Sequence, residues 1–141
     1  MAAKDDNPAM LAAHNSWRCV VGKRKEEWFA LMADDVRIED PIGHAPTNPT
    51  GEGIAGRAGL EQFWTTNIEP TSAMKIVSEE SYAAGLESAH VLTLTVEFAN
   101  GLTTEVRGIF TYRINEAGKI TNLRGYWGVD EMKFTQATAQ A

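Results

Sequence analysis

A chain of 141 residues and 15.4 kDa, 43% hydrophobic and 23% charged, has the size and composition of one globular domain with a core of its own. Its formal net charge of −6 excludes a general nucleic-acid surface, and the one dense basic run, Lys23-Arg24-Lys25, is followed at once by Glu26-Glu27. The single cysteine, Cys19, excludes an internal disulfide, and no apolar run reaches the roughly 20 residues that a membrane-spanning helix takes.

Met1 to Asp6 has no apolar stretch to serve as a signal peptide, so a cytoplasmic, soluble protein without membrane contact is expected. Asp6 or Asn7 before Pro8 predicts a helix start. Met10, His14, Trp17 and Val21 then recur at helical spacing, with Leu11 and Val20 beside them, up to a stop at Gly22. A second helix follows, with Trp28, Phe29, Leu31 and Met32 as its apolar side, and the short connection suggests an antiparallel pair.

The stretch from Ala33 to Pro41 leaves the helical pattern and becomes extended. Alternate side chains of an extended segment share a face, so Val36, Ile38 and Asp40 point one way and Arg37 and Glu39 the other. The apolar pair marks its own side as buried. An acid at the end of that row loses hydration, its pKa rises from about 3.9, and it becomes able to accept and return a proton. The same position also suits an aspartate that caps the turn before Pro41.

Residues 41 to 53 carry three prolines and three glycines, which excludes a regular element, and a loop of that length makes a candidate lid. A third helix is expected from about Arg57 to Ile68, with Leu60, Phe63, Trp64 and Ile68 as its stripe. Alternation then takes over. Ala73 to Tyr82 is a weakly patterned strand. His90, Leu92, Leu94, Val96 and Phe98 line one face of the next, Asn100-Gly101 signals a hairpin, and the return strand puts Leu102, Val106, Gly108, Phe110, Tyr112 and Ile114 on one side. After a turn at Asn115 to Gly118, Leu123, Gly125, Trp127 and Val129 alternate again. Helices first and a strand meander after make an α+β domain of residues 1 to 141: three helices under a curved antiparallel sheet of four to six strands, with a loose tail from about 135.

Ala30-Leu31-Met32-Ala33-Asp34-Asp35, Glu39-Asp40-Pro41-Ile42-Gly43, Gly56-Arg57 with Phe63-Trp64, Ala117-Gly118-Lys119-Ile120 and Arg124-Gly125-Tyr126-Trp127 together resemble the ketosteroid isomerase branch of the NTF2-like (SnoaL-like) superfamily. The resemblance spans nearly the whole chain and implies a cystatin-like cone. It implies that Asp40 is a general base moving a proton next to a carbonyl on a small apolar, ring-containing substrate; the raised carboxylate pKa is that family's own device. The family's oxyanion tyrosine falls on Asn15 or Ser16 and its protonated aspartic acid on Phe110, so both donors are replaced.

Substitute donors are His14, the indoles of Trp17 and Trp64, and the phenol of Tyr112; each also reads as packing or a pocket wall. Trp17, Trp64, Phe110, Tyr112 and Trp127 are the expected substrate-binding residues, with Asp40 and His14 as the catalytic pair. No cofactor or metal is expected: His14, His44 and His90 lack ligand spacing, and Gly51-Glu52-Gly53-Ile54-Ala55-Gly56 follows a proline loop rather than a strand. The competing readings are a non-catalytic small-ligand-binding module, a homodimerisation module using the face with Thr103, Glu105, Arg107, Ile109, Thr111 and Arg113, and a dehydratase, cyclase or epoxide hydrolase variant.

Overall fold

The computed structural model describes residues 6–136. Helix α1 spans Pro8–Val21; Asn7 caps it, its Oδ1 accepting from Ala9 N at 2.7 Å and Met10 N at 3.3 Å. The buried face of α1 is Ala9, Met10, Ala12, Ala13, Ser16 and Cys19. That stripe is rotated from the expected one: His14 is exposed, and Val21 is 45% exposed. Alanines at 9, 12 and 13 let the helix backbone lie close on the sheet, with Met10, Ser16 and Cys19 buried on the same face.

Helix α2, Lys25–Ala30, is shorter than its apolar pattern suggests. Leu31 O accepts from Ile120 N at 2.8 Å, so Met32 opens strand β1 instead of continuing the helix. Strand pairing overrides local periodicity at that point. Arg57 then ties the junction together, donating to Phe29 O at 2.6 Å and Met32 O at 3.1 Å.

Strand β1 is Met32–Glu39, β2 is Ile54–Ala55, and α3, Gly56–Phe63, runs on into a π-helical turn at Trp64–Ile68. Four longer strands follow: β3 Thr71–Ala84, β4 Glu87–Phe98, β5 Leu102–Ile114 and β6 Ile120–Tyr126. A short β7, Lys133–Gln136, closes the described chain. The sheet order is β2-β1-β6-β5-β4-β3, with β7 paired to β5.

Two expectations are corrected here. The sheet has seven strands and is mixed, since β1 and β6 run parallel with Ile38 opposite Leu123 and Glu39 opposite Arg124. The tail expected to be loose from about 135 is paired through Thr135 and Gln136, opposite Thr103 and Leu102; residues 137–141 lie outside the described residues. Local composition around β7 is weakly apolar, and only the free edge of β5 makes it a strand.

The parallel pair positions the site. Parallel neighbours bring their C-terminal ends side by side, so the chain leaving β1 at Asp40 meets the chain leaving β6 at Trp127. Ile42 N still donates to Gly125 O at 2.9 Å. On the outer face of the sheet, where a second copy was expected, Ile109 is 47% exposed and Tyr126 48%. Among the described residues no helix is long and apolar enough to cross a membrane.

Candidate active site

A cavity of about 320 Å³ opens between α1, the end of α3 and the concave face of the sheet. Alternation builds its walls: Leu92, Leu94, Val96 and Phe98 come from β4, and Val106 and Phe110 from β5, all on inward rows. Few polar groups reach it, which is the usual make-up of a pocket for a small apolar ligand.

Asp40 is the acid in that cavity. Trp127 Nε1 donates to its Oδ1 at 2.8 Å. Among the described residues Oδ2 has no hydrogen-bond partner and no buried side-chain oxygen lacks one, so Oδ2 opens on the cavity that Asp40 lines. Burial pushes the Asp40 carboxyl up to about 6, while the Trp127 hydrogen bond pulls the other way. Thr47 Oγ1 donates to the Asp40 carbonyl at 2.6 Å and fixes its backbone.

Gly125 makes this arrangement possible. A Cβ there would lie 2.5 Å from Asp40 Oδ1 and 3.0 Å from both Trp127 Nε1 and Phe110 Cε2. Gly108 does the same for the bend after β6, where a Cβ would stand 2.5 Å from Tyr126 O.

The loop expected to be a lid is stitched in place by Asn48, which is 2% exposed. Its Nδ2 donates to Pro41 O at 2.8 Å and its Oδ1 accepts from Gly53 N at 2.8 Å. Pro46 and Thr47 from this loop line the cavity, while His44 is exposed outside it.

Trp17, Phe110, Tyr112 and Trp127 line the cavity with Asp40. Trp64 does not: it is 3% exposed and packs with its ring centroid 5.5 Å from that of Trp28, in the core behind the wall. Phe63, its neighbour, takes the place at the cavity. His14 sits outside the lining, its ring 5.1 Å from that of Trp17.

The resemblance leaves the family's oxyanion tyrosine on Asn15 or Ser16 as a lost donor; in the structure Ser16 lies on the 9-12-13-16 stripe that buries α1. Its Oγ accepts from Trp28 Nε1 at 3.0 Å and lines the cavity. Beside it, Trp17 Nε1 donates to the Tyr112 hydroxyl at 2.9 Å. Burial pushes the Tyr112 hydroxyl well above its ordinary range, more than the Trp17 hydrogen bond lowers it.

His90 supports this wall from behind, 4.8 Å from the Trp17 ring and 5.7 Å from Tyr112. Ser88 Oγ donates to Ala9 O, so it receives the His90 Nε2 proton at 2.8 Å, and Nδ1 accepts from Ser81 at 2.6 Å. Burial pushes His90 down to about 4, with the charge of His14 adding to the effect. Among the described residues no three His, Cys, Asp or Glu side chains converge on a point that could hold a metal ion.

The family model of the SnoaL-like domain matches residues 13–123. The chain belongs to the SnoaL-like (NTF2-like) family. Among solved structures this SnoaL-like domain is similar to a delta 5-3-ketosteroid isomerase from Mycobacterium sp., at 49% identity over 92% of this chain and 99% of that one, with a TM-score of 0.88. It is similar to the Mycobacterium tuberculosis protein RV0760c in complex with estradiol-17beta-hemisuccinate, at 50% identity over 92% of this chain and 100% of that one, TM-score 0.87. A computationally designed 17-OHP binder is 48% identical over 92% of this chain and 100% of its own, TM-score 0.88.

Proposed function

We propose that this SnoaL-like domain is a ketosteroid-isomerase-like enzyme that moves a proton next to the carbonyl of a flat, apolar, ring-containing ketone. Asp40 is the base. The observation that carries the reading is a carboxylate with a pKa of about 6 and one oxygen open to an otherwise apolar cavity. Ionised, Asp40 removes the proton from the carbon between the alkene and the ketone, and the electron pair shifts onto the carbonyl oxygen as a dienolate. The acid formed then returns that proton at the far end of the conjugated system, which restores Asp40 and leaves the conjugated ketone. A base with a pKa near the working pH holds the right protonation state for both halves of the cycle.

The similarity to a delta 5-3-ketosteroid isomerase and to a protein holding an estradiol derivative supports a steroid-sized ketone as substrate. The test is the absorbance of a conjugated ketone formed from a β,γ-unsaturated ketosteroid, followed for wild type and Asp40→Asn. Loss of turnover in the variant is expected; equal rates would remove Asp40 from the reaction.

A second reading, a ligand-binding module without chemistry, is favoured by the likeness to a designed 17-OHP binder. A steroid that raises the melting temperature of wild type and is never turned over would select it.

A further inference from the structure

A count of hydroxyl protons on the cavity wall leads beyond the base. Two oxygens are involved, Ser16 Oγ and the Tyr112 hydroxyl, carried by side chains of residues that line the cavity. Each already accepts from an indole: Trp28 Nε1 to Ser16 at 3.0 Å and Trp17 Nε1 to Tyr112 at 2.9 Å. Those indoles have no other role to give up, since an indole nitrogen only donates. The two hydroxyls remain as donors, and among the described residues neither donates to a backbone carbonyl or a third side chain. They lie close enough to interact with one another. The most they can do is share a single bond, one giving and one receiving. Two O–H protons thus face one acceptor among the described residues, and at least one proton is left for a ligand in the cavity that both residues line.

We propose that the Ser16–Tyr112 hydroxyl pair, held as acceptors by Trp28 and Trp17, donates its surplus proton to the carbonyl oxygen of a ketone ligand whose α-carbon reaches Asp40. The inference rests on the reading of the site given above and names the group that stabilises the oxyanion. Tyr112 shares the inward row of β5 with Phe110, whose ring abuts the Gly125–Asp40 contact, and it is close enough for the charge of Asp40 to act on it. Base and donor therefore line one apolar cavity, where a hydrogen bond to developing charge counts most. The donor is also redundant. If the tyrosine oxygen is removed, Ser16 loses its partner and its own O–H is freed. If the serine oxygen is removed, the Tyr112 O–H is freed.

The experiment is the carbonyl stretching frequency of bound testosterone, a conjugated ketosteroid, read by isotope-edited infrared spectroscopy. In wild type the band falls below its position in an apolar solvent. Ser16→Ala and Tyr112→Phe each keep a lowered band, and the double variant returns it to the apolar-solvent position while testosterone still binds. Turnover of a β,γ-unsaturated ketosteroid falls on the order of 10²–10³ in the double variant and by less in each single one. A double variant with the wild-type band, a wild-type band at the apolar-solvent position, or no binding of testosterone to wild type overturns the proposal. Should removing Ser16 leave Trp28 unpaired and the fold lost, Ser16→Cys with Tyr112→Phe keeps the volume with a far weaker donor, and the same band decides. An Asp40→Asn variant as active as wild type, with the band still following the pattern, would sink the base assignment and leave the donor standing.

Discussion

Trp127 and Asp40, 87 positions apart in sequence, are joined by one hydrogen bond of 2.8 Å from the indole nitrogen to Oδ1. That bond favours the ionised carboxylate, while burial favours the neutral acid, and burial is the larger influence. The protein thus holds Asp40 about where a proton can be taken and given back near neutrality.

The activity should follow the ionised form. kcat/KM for a β,γ-unsaturated ketosteroid is expected to rise through pH 6 and level off above it. Trp127→Phe removes the one bond that lowers the pKa, so the rising limb moves to higher pH. A pH–rate profile of both proteins checks this, and an unmoved limb would show that the indole does not tune the acid.

Asp40 should also weaken the fold when ionised. Its folded pKa lies above the unfolded value, so its contribution is full below about pH 3.9 and is lost as pH rises through about 6. Asp40→Asn is therefore expected to be the more stable protein at pH 7.5. The gain is up to roughly 3 kcal/mol, less what water in the cavity screens. The difference should vanish below pH 4, as thermal melts across pH would record.

Gly125→Ala places a methyl carbon 2.5 Å from Asp40 Oδ1. The acid and the indole cannot both stay, so activity should fall on the order of 10²-fold while overpacking costs about 1–3 kcal/mol. Steady-state kinetics beside a denaturant melt separates the two effects. Wild-type kinetics in a folded variant would mean that Asp40 does not need this geometry.

His90 predicts a weakness in acid. Its folded pKa is depressed to about 4, so the stability it contributes is complete above about pH 6.5 and is lost as pH falls through 4. Removal of the Ser81–His90–Ser88 chain in His90→Gln should cost about 1–3 kcal/mol at neutral pH and flatten the acid limb. Urea melts at pH 7 and pH 5 give both numbers, and parallel acid limbs in the two proteins would remove His90 as the cause.

Much of this molecule was already fixed by local pattern. The alternation of Val36, Ile38 and Asp40 put the acid on the inward row, and the inward rows of β4 and β5 are those that line the cavity. Asn100-Gly101 marked the hairpin between those strands. These features rest on backbone periods of two and 3.6 residues, which act over a few positions and are written in the order of residues.

Tertiary structure decided the rest. Whether Trp127 reaches Asp40 depends on the parallel register of β1 and β6, and β7 exists because β5 offers it a free edge. The phase of α1, which exposes His14 and turns Ser16 inward to the cavity, follows from how closely alanines let a helix approach the sheet. Contacts between residues far apart in the chain carry no local period. They are set by which surfaces fit once the whole apolar area is buried, and a single sequence read along its length does not contain that sum.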